Sequence, residues 1–240
     1  MKNIWIIKAG GTFPGLATEY GDFEHWICRE MGLALSDVRI YDVRGSEPLP
    51  ESRQCAGVVV TGSHAMVTDK LPWSRALENW IPELVAADVP FLGICFGHQL
   101  LASALGGEVK FHPSGREIGS VEIRLHEECE EDPLFRDLPQ TIRAHVVHSQ
   151  TVTRLPSDAI RLASNDHEPV HAYRVGAVTW GVQFHPEFDE QVMRKYVEEY
   201  CDRPRRARRN NEASRVPVQA TPEANQVLAR FAKVVEQHGR

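Results

Sequence analysis

An open α/β sheet, mostly parallel but mixed, flanked by helices and carrying antiparallel additions in its second half, is predicted by three features of the 240-residue sequence. Up to Gly107, short apolar runs alternate with helical patterns, which implies right-handed parallel crossovers. Residues 89–94 are apolar without alternation, as in a strand buried on both faces. After Gly107, short strand-like segments follow one another with little helix between them, which implies hairpins extending the parallel half.

Each element has a local reason. Residues 4–7 read as a buried strand that opens into Ala9-Gly10-Gly11-Thr12-Phe13-Pro14-Gly15. That loop has neither G-x-G-x-x-G nor G-K-[ST], so its glycines predict a permissive turn rather than a phosphate cradle. Asp22 is placed to cap a helix over 23–31, and Gly32 to stop it. Residues 38–43 and 57–61 form the next strands, and Trp73, Leu77, Trp80, Ile81, Leu84 and Val85 recur at helical spacing. After Cys95, residues Leu100, Leu101, Ala104 and Leu105 share one side of a helix that Gly106-Gly107 ends. The later strands are 109–111, 121–125, 142–147, 160–163, 170–175 and 178–184, the last two joined by a tight turn at residues 174–177. Residues 188–201 return to helix. A final helix over about 223–237 starts at Thr221-Pro222 and shows an apolar face of Val227, Leu228, Phe231, Val234 and Val235. The domain reading is one domain over 1–201, a basic polar linker over 202–221, and a C-terminal helix within 222–240 packing on the same domain.

Composition narrows the class of protein. Hydrophobic and charged fractions of 42% and 25% are those of a globular chain. A formal net charge of −6 argues against general affinity for nucleic acid or an anionic membrane. No run approaches the ~18 apolar residues of a membrane span, and the N-terminus enters a strand directly, without a signal peptide's apolar region. Five scattered cysteines without a C-x-x-C pair predict reduced thiols and a cytoplasmic location. Residues 203–209 contain five arginines, but no aromatic residue interleaves for base stacking, so this stretch reads as a solvated loop or tether.

The chemistry is concentrated in two stretches. Gly93-Ile94-Cys95-Phe96-Gly97 joins a strand to a helix through a sharp turn, with glycines two places either side of a thiol. This is the nucleophile-elbow plan with sulfur for oxygen, at a helix N-terminus whose dipole favours negative charge. A lone cysteine in such a turn is more often a small buried hydrophobe. The second stretch changes that reading: Gly181-Val182-Gln183-Phe184 ends in His185-Pro186-Glu187. Pro186 pushes His185 towards an extended backbone, in which residues i and i+2 project to one face. Glu187 is thereby expected to orient one nitrogen of His185 while the other faces Cys95, the arrangement of nucleophile, base and orienting carboxylate. The oxyanion of an attacked carbonyl needs two N–H donors. Phe96, the residue just after the nucleophile, is expected to supply one.

Other histidines read differently. His98 is expected to be structural or to line a pocket wall. His148 either orients a substrate loop or is a simple hydrogen-bonded histidine. His167-Glu168-Pro169-Val170-His171 spells the H-E-x-x-H zinc pattern, but that pattern needs a helix, which Pro169 disrupts. No metal and no cofactor are expected.

Gly93-Ile-Cys95-Phe-Gly97-His98-Gln99, Phe184-His185-Pro186-Glu187, Val60-Thr61-Gly62-Ser63 and Val147-His148-Ser149-Gln150 occur in the order found in the triad, or class I, glutamine amidotransferases. Over roughly residues 4–200 the chain resembles small stand-alone members of that family, similar to the glutaminase half of GMP synthase. The resemblance implies hydrolysis of the glutamine side-chain amide by Cys95, His185 and Glu187 through a γ-glutamyl thioester. It places Gln99 against the substrate, and the backbone of Ser149 and Gln150 near its α-amino and α-carboxylate groups. The resemblance also implies that the Gly62-Ser63 turn supplies the other oxyanion donor. The family usually carries Gly-Gly-Pro or Asn-Gly-Pro where this chain has Thr61-Gly62-Ser63-His64, which leaves open which of Gly62 and Ser63 donates. The chain ends soon after this region, so the expectation is either an ammonia acceptor on another polypeptide, such as a separate synthetase subunit, or a chain that acts alone. The alternatives are a γ-glutamyl peptidase or hydrolase, and a binding or regulatory module without turnover.

Overall fold

Neighbouring residues of the first strand already enter two different cores. In the computed structural model, which describes residues 2–45, 47–202 and 218–239, β1 (Asn3–Lys8) sends Ile6 to one side and Ile7 to the other. β1 lies between β2 (Val38–Asp42) and β3 (Cys55–Val60), parallel to both, and β3 pairs in parallel with β4 (Phe91–Ile94). β11 (Thr179–Val182) adds to β4, again in parallel. From there the pairing is antiparallel through β10 (Ala172–Val175), β9 (Ala159–Ser164), β6 (Glu117–Leu125) and β7 (Thr141–His148). The order is β2-β1-β3-β4-β11-β10-β9-β6-β7, a mixed sheet as predicted. β5 (Glu108–Phe111) and β8 (Gln150–Arg154) form a separate antiparallel pair.

Helices cover both faces. α2 (Phe23–Met31), α5 (Glu190–Asp202) and α6 (Pro222–His238) bury Trp26, Met193, Tyr196, Leu228 and Phe231 in the core that holds Ile6, Val59 and Leu92. α3 (Pro72–Ala86) and α4 (Phe96–Ala104) bury Leu77, Ile81, Leu100 and Leu101 with Ile7, Val58 and Val60. The Asp22 carboxylate accepts from Phe23 N at 2.9 Å, and Gly32 closes α2 at φ 69°. α6 packs on α2 and β7, burying Ala224, Val227, Leu228, Phe231 and Val235, while Val234 is only partly buried. Residues 203–217 of the expected linker lie outside the described residues. Among the described residues, no helix is long and apolar enough to cross a membrane.

Three local expectations are corrected. The loop expected over residues 9–15 ends earlier, because α1 (Pro14–Tyr20) begins with Pro14 at its first position. Leu16 is its only buried residue, so no apolar periodicity announces it. Residues 151–154, for which no element is expected, form strand β8 together with Gln150, the end of the 147–150 tract. His185-Pro186-Glu187 is a turn rather than a strand continuation, since β11 ends at Val182 and Phe188 N points back to the His185 carbonyl at 3.4 Å.

Candidate active site

Cys95 sits between β4 and α4 at φ 49°, ψ −95°, a backbone conformation that L-residues rarely adopt. The surrounding framework holds it there. Its N–H donates to the Val182 carbonyl at 2.8 Å, tying the elbow to the neighbouring strand. A Cβ on Gly93 would collide with the Gly97 carbonyl, and one on Gly97 would lie 2.5 Å from the Val60 carbonyl. Glycine at these two positions therefore lets α4 start directly over the sheet. The sulfur is nearly buried and lies 3.7 Å from the Val147 carbonyl.

His185 and Glu187 stand at the end of the adjacent strand. Their Nδ1 and Oε1 atoms are 2.7 Å apart, both side chains are buried, and the turn brings the carboxylate round to the ring. The imidazole is clamped by Phe188, stacked at 4.2 Å, with Phe23 further out on a near-parallel plane. Its backbone N–H is held by the His145 carbonyl of β7 at 2.8 Å. Gly62 leaves room for the ring, since a Cβ there would lie 3.0 Å from His185 Cε1. Burial alone would lower the His185 pKa. The Glu187 carboxylate and the Cys95 sulfur outweigh it and raise the pKa to about 10. With Nδ1 engaged by Glu187, the sulfur acts from the Nε2 side, and Nε2 has no hydrogen-bond partner among the described residues.

A cleft of about 40 Å³ opens beside the sulfur, lined in part by Ser63, Phe96, Gln99, Arg116, Ser149 and Gln150. Gln99 Nε2 donates to the Gln150 carbonyl at 3.0 Å and to Gln183 Oε1 at 2.9 Å. Both of its N–H groups are thus engaged, and only an acceptor is left for a ligand. The Gln150 carbonyl also accepts from His148 Nδ1 at 3.0 Å, so both of its lone pairs face protein. Ser63 lines the cleft, whereas Gly62 packs under His185. The Gly10-Gly11 loop props this turn. Ser63 Oγ donates to the Ala9 carbonyl at 2.9 Å, and Ala9 N donates to Thr61 Oγ1 at 3.0 Å.

Behind the 147–150 wall is a buried polar cluster that sequence reasoning does not assemble. His148 Nε2 lies 3.0 Å from Glu117 Oε2, and Asn165 Nδ2 donates to the other Glu117 oxygen at 2.8 Å. Burial pushes the Glu117 pKa up, but His148, His171 and Asn165 together bring it down to about 2. Glu168 accepts from Thr151 Oγ1 and Val170 N, and burial dominates there, raising its pKa. Burial holds His171 neutral, with its pKa lowered to about 3, and does the same for His98, which packs against Tyr173. The H-E-x-x-H segment is irregular backbone, so His167 and His171 do not share a helix face. His148 and the 167–171 segment are picked out in the sequence, but nothing there joins them to Glu117 or Asn165. Arg116 and Tyr200 at the cleft mouth belong to no motif, and the sequence gives no sign of their role.

Comparison with known proteins agrees with this geometry. Residues 17–201 match the family described as glutamine amidotransferase class-I. The chain is 31% identical over 185 residues to a GMP synthase (glutamine-hydrolyzing) subunit from Archaeoglobus fulgidus, covering 75% of this chain and 93% of that one. It is 33% identical over 152 residues to GMP synthase (glutamine-hydrolyzing) 1 of Bacteroides thetaiotaomicron, spanning 60% of this chain but only 28% of that protein's length. A crystal structure of a glutamine amido transferase from Methylobacillus flagellatus superposes with a TM-score of 0.72 at 25% identity, covering 99% of this chain and 94% of that one. A match over most of the chain, together with an elbow cysteine facing a histidine–glutamate pair, leads to one assignment: the chain belongs to the class-I glutamine amidotransferases.

Proposed function

We propose that the protein hydrolyses the side-chain amide of glutamine, with Cys95 as nucleophile, His185 as acid and base, and Glu187 as the carboxylate that orients and charges the imidazole. The observation that carries this reading is the 2.7 Å contact between His185 and Glu187, with the far side of the ring turned to the sulfur of a strained elbow. Cys95 attacks the amide carbon, and the amide nitrogen leaves as ammonia with a proton from His185. Water, deprotonated by the same ring, then cleaves the γ-glutamyl thioester to give glutamate and the free thiol. The oxyanion is received by the Phe96 N–H at the start of α4 and by the Ser63 side of the 62–63 turn, the member that lines the cleft. Gln99 offers the substrate its remaining acceptor. The ammonia acceptor lies on a separate synthetase subunit, a reading supported by the Archaeoglobus relative's being named as one subunit of a GMP synthase. Cys28, Cys55, Cys95 and Cys129 are free thiols, which suits a reducing, cytoplasmic setting.

The test is ammonia release from glutamine, with mass detection of a γ-glutamyl adduct on Cys95. Cys95→Ala should lose roughly 10⁴- to 10⁶-fold in rate and form no adduct. A wild-type protein that releases no ammonia and forms no adduct, in the presence of a cognate synthetase subunit, would overturn the proposal. So would a Cys95→Ala variant that keeps its rate.

A further inference from the structure

We infer that Arg116 selects the substrate by pairing its guanidinium with the α-carboxylate of the glutamyl group. The inference rests on the hydrolytic reading above and adds a residue to it. Among the described residues lining the cleft, Arg116 is the only Lys, Arg, Asp or Glu. Its guanidinium is held in place: Nε donates to Ser149 Oγ at 3.0 Å, and the plane lies 4.2 Å from the centre of the Tyr200 ring. Nη1 and Nη2 have no acceptor, and Arg116 has no ion pair, among the described residues. A planar fork steadied by one hydrogen bond and one ring, with both terminal nitrogens free to donate, suits a carboxylate.

The reach also fits. Val147 flanks the sulfur and Ser149 holds Arg116, two residues on, a backbone span of at most about 7 Å. Four staggered carbon–carbon bonds separate the amide carbon of glutamine from its carboxylate carbon, about 5 Å at full extension. A substrate with its amide carbon at the sulfur therefore carries its carboxylate to the Arg116 end of the wall. The other candidates there are already engaged. Gln99 has only an acceptor left, which suits the α-ammonium, and the Gln150 carbonyl is doubly occupied.

Two experiments test this on the intact chain. In steady-state hydrolysis, Arg116→Met should raise KM for glutamine roughly 10- to 100-fold with a much smaller change in kcat, and Arg116→Lys should recover part of the loss. With 4-aminobutanamide, which is glutamine without its carboxylate, the substitution should bring no penalty. Equal penalties on both substrates, or none on glutamine, would overturn the inference. The second experiment needs no turnover: alkylation of Cys95 by iodoacetate is compared with alkylation by iodoacetamide. Arg116→Met should lower the iodoacetate-to-iodoacetamide rate ratio at least several-fold, and an unchanged ratio would count against the inference. A fall in that ratio in a protein that never hydrolyses glutamine would sink the hydrolytic reading while leaving anion recognition by Arg116 standing.

Discussion

Cys95 and His185 leave neighbouring parallel strands, β4 and β11, and backbone and sterics position both: an N–H to Val182, glycines at 93 and 97, a flanking Phe188. Facing them, the 147–150 wall comes from the antiparallel half, and ionisable side chains hold it. His148 is pinned between the Gln150 carbonyl and Glu117, with Glu168 and His171 packed around it. Cys95 is thus held by backbone and sterics and His185 by these together with Glu187, whereas the wall opposite rests on a wider set of ionisable side chains. Acid or a charge-removing substitution should loosen the wall before it disturbs the elbow.

The substitutions that probe this contrast differ in size. Glu187→Gln should have the largest effect, lowering kcat roughly 10²- to 10⁴-fold while the protein stays folded. It should also let the raised His185 pKa fall from about 10 towards its ordinary value, visible by NMR of the ring. The sign is fixed by the direction of the shift. A raised histidine contributes stability that is complete below its unfolded pKa and is lost as pH rises through about 10, so the variant should lose that stability at lower pH. Gly93→Ala should cost about 3 kcal/mol or more in thermal unfolding, because strand and helix must separate to admit the methyl group. A fully stable, active Gly93→Ala protein would show that the elbow does not depend on this close approach.

Glu117→Gln tests the other half. The Glu117 pKa is lowered to about 2, so its contribution is present above the ordinary carboxylate range and lost as pH falls through about 2. Up to roughly 3 kcal/mol should disappear from neutral-pH stability, and the stability curve between pH 4.5 and 2 should flatten. KM for glutamine should rise more than kcat falls. An equal fall in kcat would mean that the wall and the reacting groups are one mechanical unit.

Much of the fold is legible one segment at a time. The cap at Asp22, the stop at Gly32 and the glycines around Cys95 follow from backbone rules that act within a few residues. His185 and Glu187 are two residues apart, so their partnership is legible even though the backbone between them is a turn. α1 escapes such reading because it buries only Leu16, and β8 because residues 150–154 show no apolar alternation by which a strand is recognised.

The sequence by itself determined the sheet class, the elbow and the histidine–glutamate pair, because these depend on local sterics and hydrophobic period. Only the tertiary structure decided that Glu117 belongs to His148, that Arg116 stacks on Tyr200, and that β7, last in the sheet order, supplies carbonyls to both Cys95 and His185. Such contacts join polar residues distant in the chain. No periodicity encodes them, since hydrogen bonds and charges act on whatever the packed core brings within reach.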